Sequence, residues 1–447
     1  MRRDILLITI EGWGINLLAA GGGSLCRTPN LDSLAAGGVV FDQCWSHSPD
    51  PLVVLAAIAT AGPALDVDAI DWSSENGPLS CLRLDGVHAT LVTDSDAAAD
   101  ALGPLFDEAI LLSSSADEVQ AAATLEETQL SALFQSAAEV LQQSDLDGGS
   151  NLVWLHSRGL NAAWDAPYEL RTILCAEDDP PPSDSTSPPR VQITPDTDPD
   201  VAFDAMCGAA AQGIAVDAAW AMLDRFLEGY VEASARPKPV IAVMGVGGYP
   251  LGEHAAIGPS EGPLHSEMIR VPLLIRPGNL DLGRRYPHAV QPRHLGVLIA
   301  AAARAGDDDA PDDSWWRLPP RLSGEWPKGS RLAWAYDRTS LTLITAGWVA
   351  VRSEASERFK IPENAVHAGL NTLDNPESSR WELYVNPDDR WHQNDVAARA
   401  ADVLEQFKQI ATALEKGLAQ RPDATAYAAL HAELELMLTE ELVTPDL

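Results

Sequence analysis

Cationic side chains are scarce in this chain. Across 447 residues, Lys and Arg number 30 against 65 Asp and Glu, a formal charge of -35. So acidic a surface repels nucleic-acid phosphates and anionic lipid headgroups, so no nucleic-acid partner is expected. Cysteine is sparse as well. Cys26, Cys44, Cys81, Cys175 and Cys207 are odd in number and free of C-x-x-C spacing, which argues against a disulfide framework or a cysteine zinc site. No run reaches the ~18 apolar residues of a membrane span, and Met1-Arg2-Arg3-Asp4 leads straight into a strand-like run without a leader pattern. The expectation is a cytoplasmic chain with no membrane span.

What is present is length, enough for one large unit and a smaller one, because single cores stop growing near 250 to 300 residues. Short apolar runs at 5–10, 88–92, 151–156, 239–244 and 271–276 are bounded by Gly, Pro or Asp, the pattern of strands covered on both faces. Helical stretches lie between them at 29–36, 52–61, 125–143 and 202–233. Thr28 is placed to cap the first of these, with Pro29 at its first position and Gly37-Gly38 ending it. This alternation predicts an α/β fold with a doubly wound, mostly parallel sheet. The acidic, Pro-rich segment 175–200 reads as an exposed loop, and 307–328 as a connection. The expected units are therefore 1–310 and 325–447. The second offers strand runs at 331–336, 340–345 and 347–352, then a long terminal helix.

Several blocks carry a family resemblance. The opening Asp4-Ile5-Leu6-Leu7-Ile8-Thr9-Ile10-Glu11 is followed by Thr28-Pro29-Asn30-Leu31-Asp32-Ser33-Leu34 through to Phe41. Later come Leu251-Gly252-Glu253-His254, then Met268-Ile269-Arg270-Val271-Pro272 through to Gly278, then Trp381-Glu382-Leu383-Tyr384 with Asn386-Pro387-Asp388-Asp389 and Asn394-Asp395. In this order they resemble the sulfatases of the alkaline phosphatase superfamily. That resemblance implies an alkaline-phosphatase-like α/β domain with a smaller C-terminal subdomain of antiparallel sheet plus helix. It also implies a divalent cation held by carboxylates at strand ends and a formylglycine nucleophile made from a C/S-x-P-x-R motif. Arg, Lys and His would neutralise the ester oxygens.

Position by position, the chemistry implied by the resemblance is missing. The nucleophile position falls on Pro51 and its helper arginine on Leu55; the nearest hydroxyls are Ser46 and Ser48. The Gly-Lys-x-His positions fall on Thr93, Asp94, Ser95 and Asp96, so two cations become acids. The Asp-His-Gly metal motif falls on Val246-Gly247-Gly248, and a downstream lysine near Gly258-Pro259. Two positions survive in part. Glu11 stands at the first metal aspartate, before Gly12, and His156 matches an active-site histidine whose partner would lie near Asn161. Glu11 equally suits a carboxylate capping a strand-end loop, His156 a hydrogen-bonded strand terminus, and His254 a loop organiser. Trp315, Trp316, Trp326, Trp381 and Trp391 suit either a partner groove or packing of the smaller unit.

The residue inventory points to a catalytically inactive homologue that keeps the fold as a surface for a protein or small-molecule partner. The alternative is a sulfuric or phosphoric ester hydrolase with a rearranged metal set of Glu11, Asp94, Asp96 and His156. Calcium or magnesium is expected only in that second case, and no cofactor in the first.

Overall fold

The structure, a computed structural model, describes residues 3–62, 77–112, 119–144, 149–234, 236–259, 262–278, 282–304, 331–337, 339–354, 379–419 and 424–443. Eight strands form the main sheet: β1 Ile5–Glu11, β2 Val39–Cys44, β3 Val87–Thr93, β4 Glu108–Leu111, β5 Ser150–Ser157, β6 Val240–Val246, β7 Leu273–Pro277 and β8 Arg284–Val290. Their spatial order is β8-β2-β7-β6-β1-β5-β3-β4. All neighbours are parallel except β7, which runs antiparallel to both β2 and β6. The sheet is thus doubly wound and mostly parallel, and the C-terminal ends of β1, β2, β3, β5 and β6 share one edge.

Alternation along the central strands divides the core in two. Leu6, Ile8 and Ile10 of β1 face one layer, where Val153, Leu155, Ile241 and Val243 join helices α1 Pro29–Gly37, α3 Gln129–Ser144 and α4 Val201–Ser234. Ile5 and Leu7 face the other layer, with Trp154, Ala242 and Met244, helix α2 Pro51–Thr60 and helix α5 Pro292–Arg304. Strands covered on both faces need the continuous apolar runs that the sequence shows. Helix α4 is long and apolar enough to cross a membrane by length and composition, a feature missed by counting uninterrupted apolar residues. Here 72% of its most apolar window is buried, and Ala209, Val216, Trp220 and Leu223 fill the first core layer.

The smaller sheet is antiparallel, β9 Ala333–Tyr336, β10 Ser340–Ile344, β11 Trp348–Glu354 and β12 Ser379–Val385. Trp381-Glu382-Leu383-Tyr384 is therefore part of the fourth strand of this sheet. Helix α6 Ala401–Leu418 buries Val403, Phe407, Ile410, Leu414 and Leu418 against it, and helix α7 Ala424–Leu436 follows. The connection at 307–328, with Trp315, Trp316 and Trp326, lies outside the described residues.

Two local expectations need correction. Thr28 occupies the cap position of α1, but its hydroxyl accepts from the Ala19 amide and donates to Asp32 instead of capping the helix. The segment at 125–143 divides into a short 3-10 turn, Leu125–Glu127, and then α3. The exposed loop at 175–200 contains a two-residue strand, Val191–Gln192, paired with Ala256–Ile257.

Candidate functional site

At the sheet edge formed by the strand C-termini, the parallel register sets Thr9 opposite His156 and Ile10 opposite Ser157. Glu11 lies one step further, and its Oε1 is 3.2 Å from Nε2 of His156, with both residues buried. A carboxylate only accepts, so Nε2 carries a proton. On the other side of the ring, the Thr9 hydroxyl accepts from the Trp154 indole N–H at 2.9 Å. The same hydroxyl donates to the Leu155 carbonyl at 3.4 Å and lies 3.1 Å from His156 Nδ1. Asn161 Nδ2 donates to the second oxygen of Glu11 at 2.9 Å. The sequence reading joined Glu11 and His156 only as members of a four-residue metal set; the structure pairs them directly and adds Thr9, Trp154 and Asn161. No periodicity signals these additions, although strand register does once β1 and β5 are paired.

Asp94 follows β3 on the same edge. Its carboxylate accepts from the Arg158 amide at 2.7 Å and from the Ser157 hydroxyl at 3.1 Å. Burial pushes its carboxyl above the ordinary range and the Glu11 charge adds to that, against these two hydrogen bonds and the charge of His156. Asp96, in contrast, is exposed in the first turn of the helix Asp96–Leu102, so Glu11, Asp94, Asp96 and His156 do not converge.

Pro51 is the first residue of α2, where a fixed φ and a missing N–H fit the helix start. Asp50 caps this helix by accepting from the Leu52 amide at 2.9 Å. The nearby hydroxyls serve the preceding turn: Ser46 donates to the Ser48 carbonyl, and Ser48 Oγ accepts from the Asp50 amide. Leu55 is wholly buried in the second core layer. After β6, the Gly247 φ is 68°, and a Cβ on Gly248 would stand 1.9 Å from the Glu267 carbonyl oxygen, so this strand end approaches backbone and presents no carboxylate.

The fit of a hard cation follows from these contacts. Calcium takes six to eight oxygen ligands and magnesium an octahedron. Here Glu11 has both oxygens engaged by N–H donors, Asp94 is held by Arg158 and Ser157, and Gly247 and Gly248 after β6 supply no side-chain oxygen. This set does not form a calcium or magnesium cage.

Beside the edge runs a groove of about 580 Å³ lined by Arg158, Asn161 and Ala162 together with 184–188 of the Pro-rich loop. Arg158 is exposed at its rim.

A second cluster joins the two sheets. His254 Nδ1 lies 2.7 Å from Glu267 Oε1, and its Nε2–H donates to the His392 carbonyl at 2.8 Å. Burial disfavours the imidazolium, but the Glu267 carboxylate and that carbonyl outweigh it and hold His254 above its ordinary range. The His265 ring stacks on His254 with centroids 3.6 Å apart, and its Nε2 pairs with Glu382 Oε2 at 2.7 Å. Burial would raise Glu382, but the hydrogen bond and charge of His265, with Tyr384 and Arg380, pull it down to about 2. His254 thus does more than organise its own loop. Trp381 and Trp391 lie beneath the guanidinium groups of Arg352 and Arg390.

No family profile and no curated protein matches this sequence. Solved structures do match in fold. BT4656, determined in complex with its substrate D-glucosamine-2-N,6-O-disulfate, superposes with a TM-score of 0.67 at 14% identity, covering 98% of this chain and 100% of its own. BT1596, a 2-O GAG sulfatase, gives 0.57 at 13% identity over 98% and 94% of the two chains. A protein of the alkaline phosphatase superfamily from Vibrio parahaemolyticus gives 0.51 at 12% identity over 78% and 76%. The chain has the fold that these structures share, an alkaline-phosphatase-like α/β domain with a smaller C-terminal antiparallel sheet.

Proposed function

We propose that this chain is a sulfatase-like protein without ester-hydrolase activity, which uses the sheet edge and its groove as a binding surface for a protein or small-molecule partner. The observation that carries the reading is Pro51. Where the resemblance places the nucleophile, a proline starts a helix, and every hydroxyl of the preceding turn named above is spent on backbone. Nothing at that position can attack sulfur or phosphorus. The electrostatics agree: Glu11, Asp50 and Asp94 stand on the loops of this edge, where a sulfate or phosphate ester would need cations. Binding is supported by the groove, whose volume falls within the range of small-molecule sites and whose rim offers Arg158 beside Ser185, Thr186 and Ser187.

The test is turnover. Purified protein supplied with calcium, magnesium or manganese is incubated with 4-nitrophenyl sulfate, 4-nitrophenyl phosphate and a phosphonate monoester. Release of 4-nitrophenol at the blank rate is expected for all three. Metal-dependent release that disappears in Glu11→Ala would overturn the reading and restore the rearranged hydrolase.

A further inference from the structure

The geometry points to a binding site for one divalent transition-metal ion of the zinc class, formed by His254, His265 and Glu267 at the seam between the two sheets. It shares no residue with the Glu11–His156 pair and does not depend on the function proposed above.

Three observations carry it. First, the donor atoms are already assembled. Among the described residues, this trio of His, Cys, Asp or Glu side chains has its ligand atoms within 4.8 Å of one another. Glu267 Oε1 lies 2.7 Å from His254 Nδ1 and 3.9 Å from His265 Nδ1. Two ligands each ~2.05 Å from a tetrahedral ion stand about 3.3 Å apart, midway between these separations. A carboxylate shift of about half an ångström equalises them.

Second, both rings are held from behind. His254 Nε2–H donates to the His392 carbonyl and His265 Nε2–H to the Glu382 carboxylate, itself fixed by Tyr384 and Arg380. Metal-binding histidines are oriented in this manner, with one nitrogen tied to a carbonyl or carboxylate and the other left for the ion.

Third, Glu267 is 5% exposed and its Oε2 is buried without a hydrogen-bond partner, an unspent acceptor on the carboxylate that both histidines face. The backbone adds a related sign. His254 and Ala255 both hold left-handed conformations, with φ of 47° and 58°. Consecutive non-glycine residues in that region persist only where surrounding structure enforces them, and such strain collects at ligand sites. Two imidazoles and one carboxylate suit zinc and its neighbours, and suit calcium or magnesium poorly.

The experiment uses the full chain, untagged and stripped with EDTA. Zinc chloride is titrated by calorimetry, and cobalt chloride is followed in the visible spectrum. Expected are one equivalent of zinc, a melting temperature that rises with zinc, and the intense d–d absorption of tetrahedral cobalt. Binding should weaken at least tenfold in Glu267→Gln and in His265→Gln, with circular dichroism confirming that each variant is folded, and remain unchanged in Glu11→Gln. The proposal is overturned by absence of stoichiometric zinc binding, by a weak octahedral cobalt spectrum, by undiminished binding in both cluster variants, or by loss of binding in Glu11→Gln instead. Ester turnover plays no part in this readout, so its failure leaves the proposed function untouched.

Discussion

Glu11 separates a structural role from a metal role by two substitutions of different kinds. In Glu11→Ala, the buried Nε2–H of His156 and the partly buried Nδ2 of Asn161 lose their common acceptor. Each orphaned donor costs roughly 1–3 kcal/mol, and breaking a buried pair costs about 3–5, so a loss of about 4 kcal/mol is expected. Glu11→Gln keeps the shape and one acceptor oxygen for His156. Its new amide meets Asn161, whose Oδ1 is buried without a partner; an amide rotation brings that oxygen round to accept. The loss should then be about 1 kcal/mol. Urea unfolding followed by fluorescence of the 13 tryptophans measures both. With a slope of ~3 kcal/mol/M, Glu11→Ala lowers the midpoint by about 1.3 M and Glu11→Gln by less than about 0.4 M. The reasoning is refuted if Glu11→Ala unfolds within about 0.2 M of the parent, or if Glu11→Gln falls as far as Glu11→Ala. The second outcome would mean that the carboxylate charge, and not its acceptor geometry, holds the strand ends.

Other expectations test the fold around the site. His431 is buried with its Nε2–H on the Leu332 carbonyl, and burial, then the Arg293 charge, pull its pKa down to about 4. The unfolded chain takes up that proton first, near pH 6.5, so the contribution to stability is complete above pH 6.5 and lost as pH falls towards 4. It amounts to about 3 kcal/mol. In His431→Gln, the pH dependence of melting across that window should lose one proton's worth of slope. Asp4, 2% exposed, accepts from the Asn151 amide and side chain, the Tyr230 hydroxyl and Arg236. Asp4→Ala strands a guanidinium and should cost about 3–5 kcal/mol in chemical denaturation. Gly159 has φ of 49°, and a Cβ there would stand 2.4 Å from the Glu11 carbonyl oxygen. Gly159→Ala should lower stability by about 2 kcal/mol or more, read as a drop in melting temperature, because strain and clash add.

Much of the architecture is legible in the chain because buried parallel strands write themselves as apolar runs. β1, β3, β5, β6 and β7 each begin and end within two residues of such a run. Of the strands missed, β2 carries only Val39-Val40-Phe41 before Asp42 and Gln43. β8, Arg284–Val290, sits at the sheet edge with mostly exposed or half-exposed residues, and its Arg-Arg-Tyr-Pro-His sequence carries no apolar signal. β12, Ser379–Val385, mixes Arg380, Trp381 and Glu382 with its apolar residues and has no strand run of its own in the sequence reading. The site was less legible. Glu11 and His156 are 145 residues apart, and only the β1–β5 register brings them together. The His254 cluster gathers side chains from a loop after β6, a turn before β7, and β12, three elements whose proximity depends on how the small sheet packs.

The position of Leu55 bears on what kind of molecule this is. The resemblance asks for an arginine there, in a helix whose N-terminus would present the nucleophile. In this chain α2 buries every residue from Val53 to Ala59, and Leu55 is 0% exposed against the sheet. A guanidinium at that depth would lie unpaired in an apolar layer, at a cost far above the roughly 1.5–3 kcal/mol that burying a leucine contributes. The missing cation is thus not a gap on an otherwise prepared surface, because the helix has turned that position into core. The same holds after β6, where the close approach of Gly248 to the backbone of Glu267 leaves no room for a side chain. Packing has closed over both of these positions, which is the physical reason that the fold is intact with residues there other than those the resemblance implies.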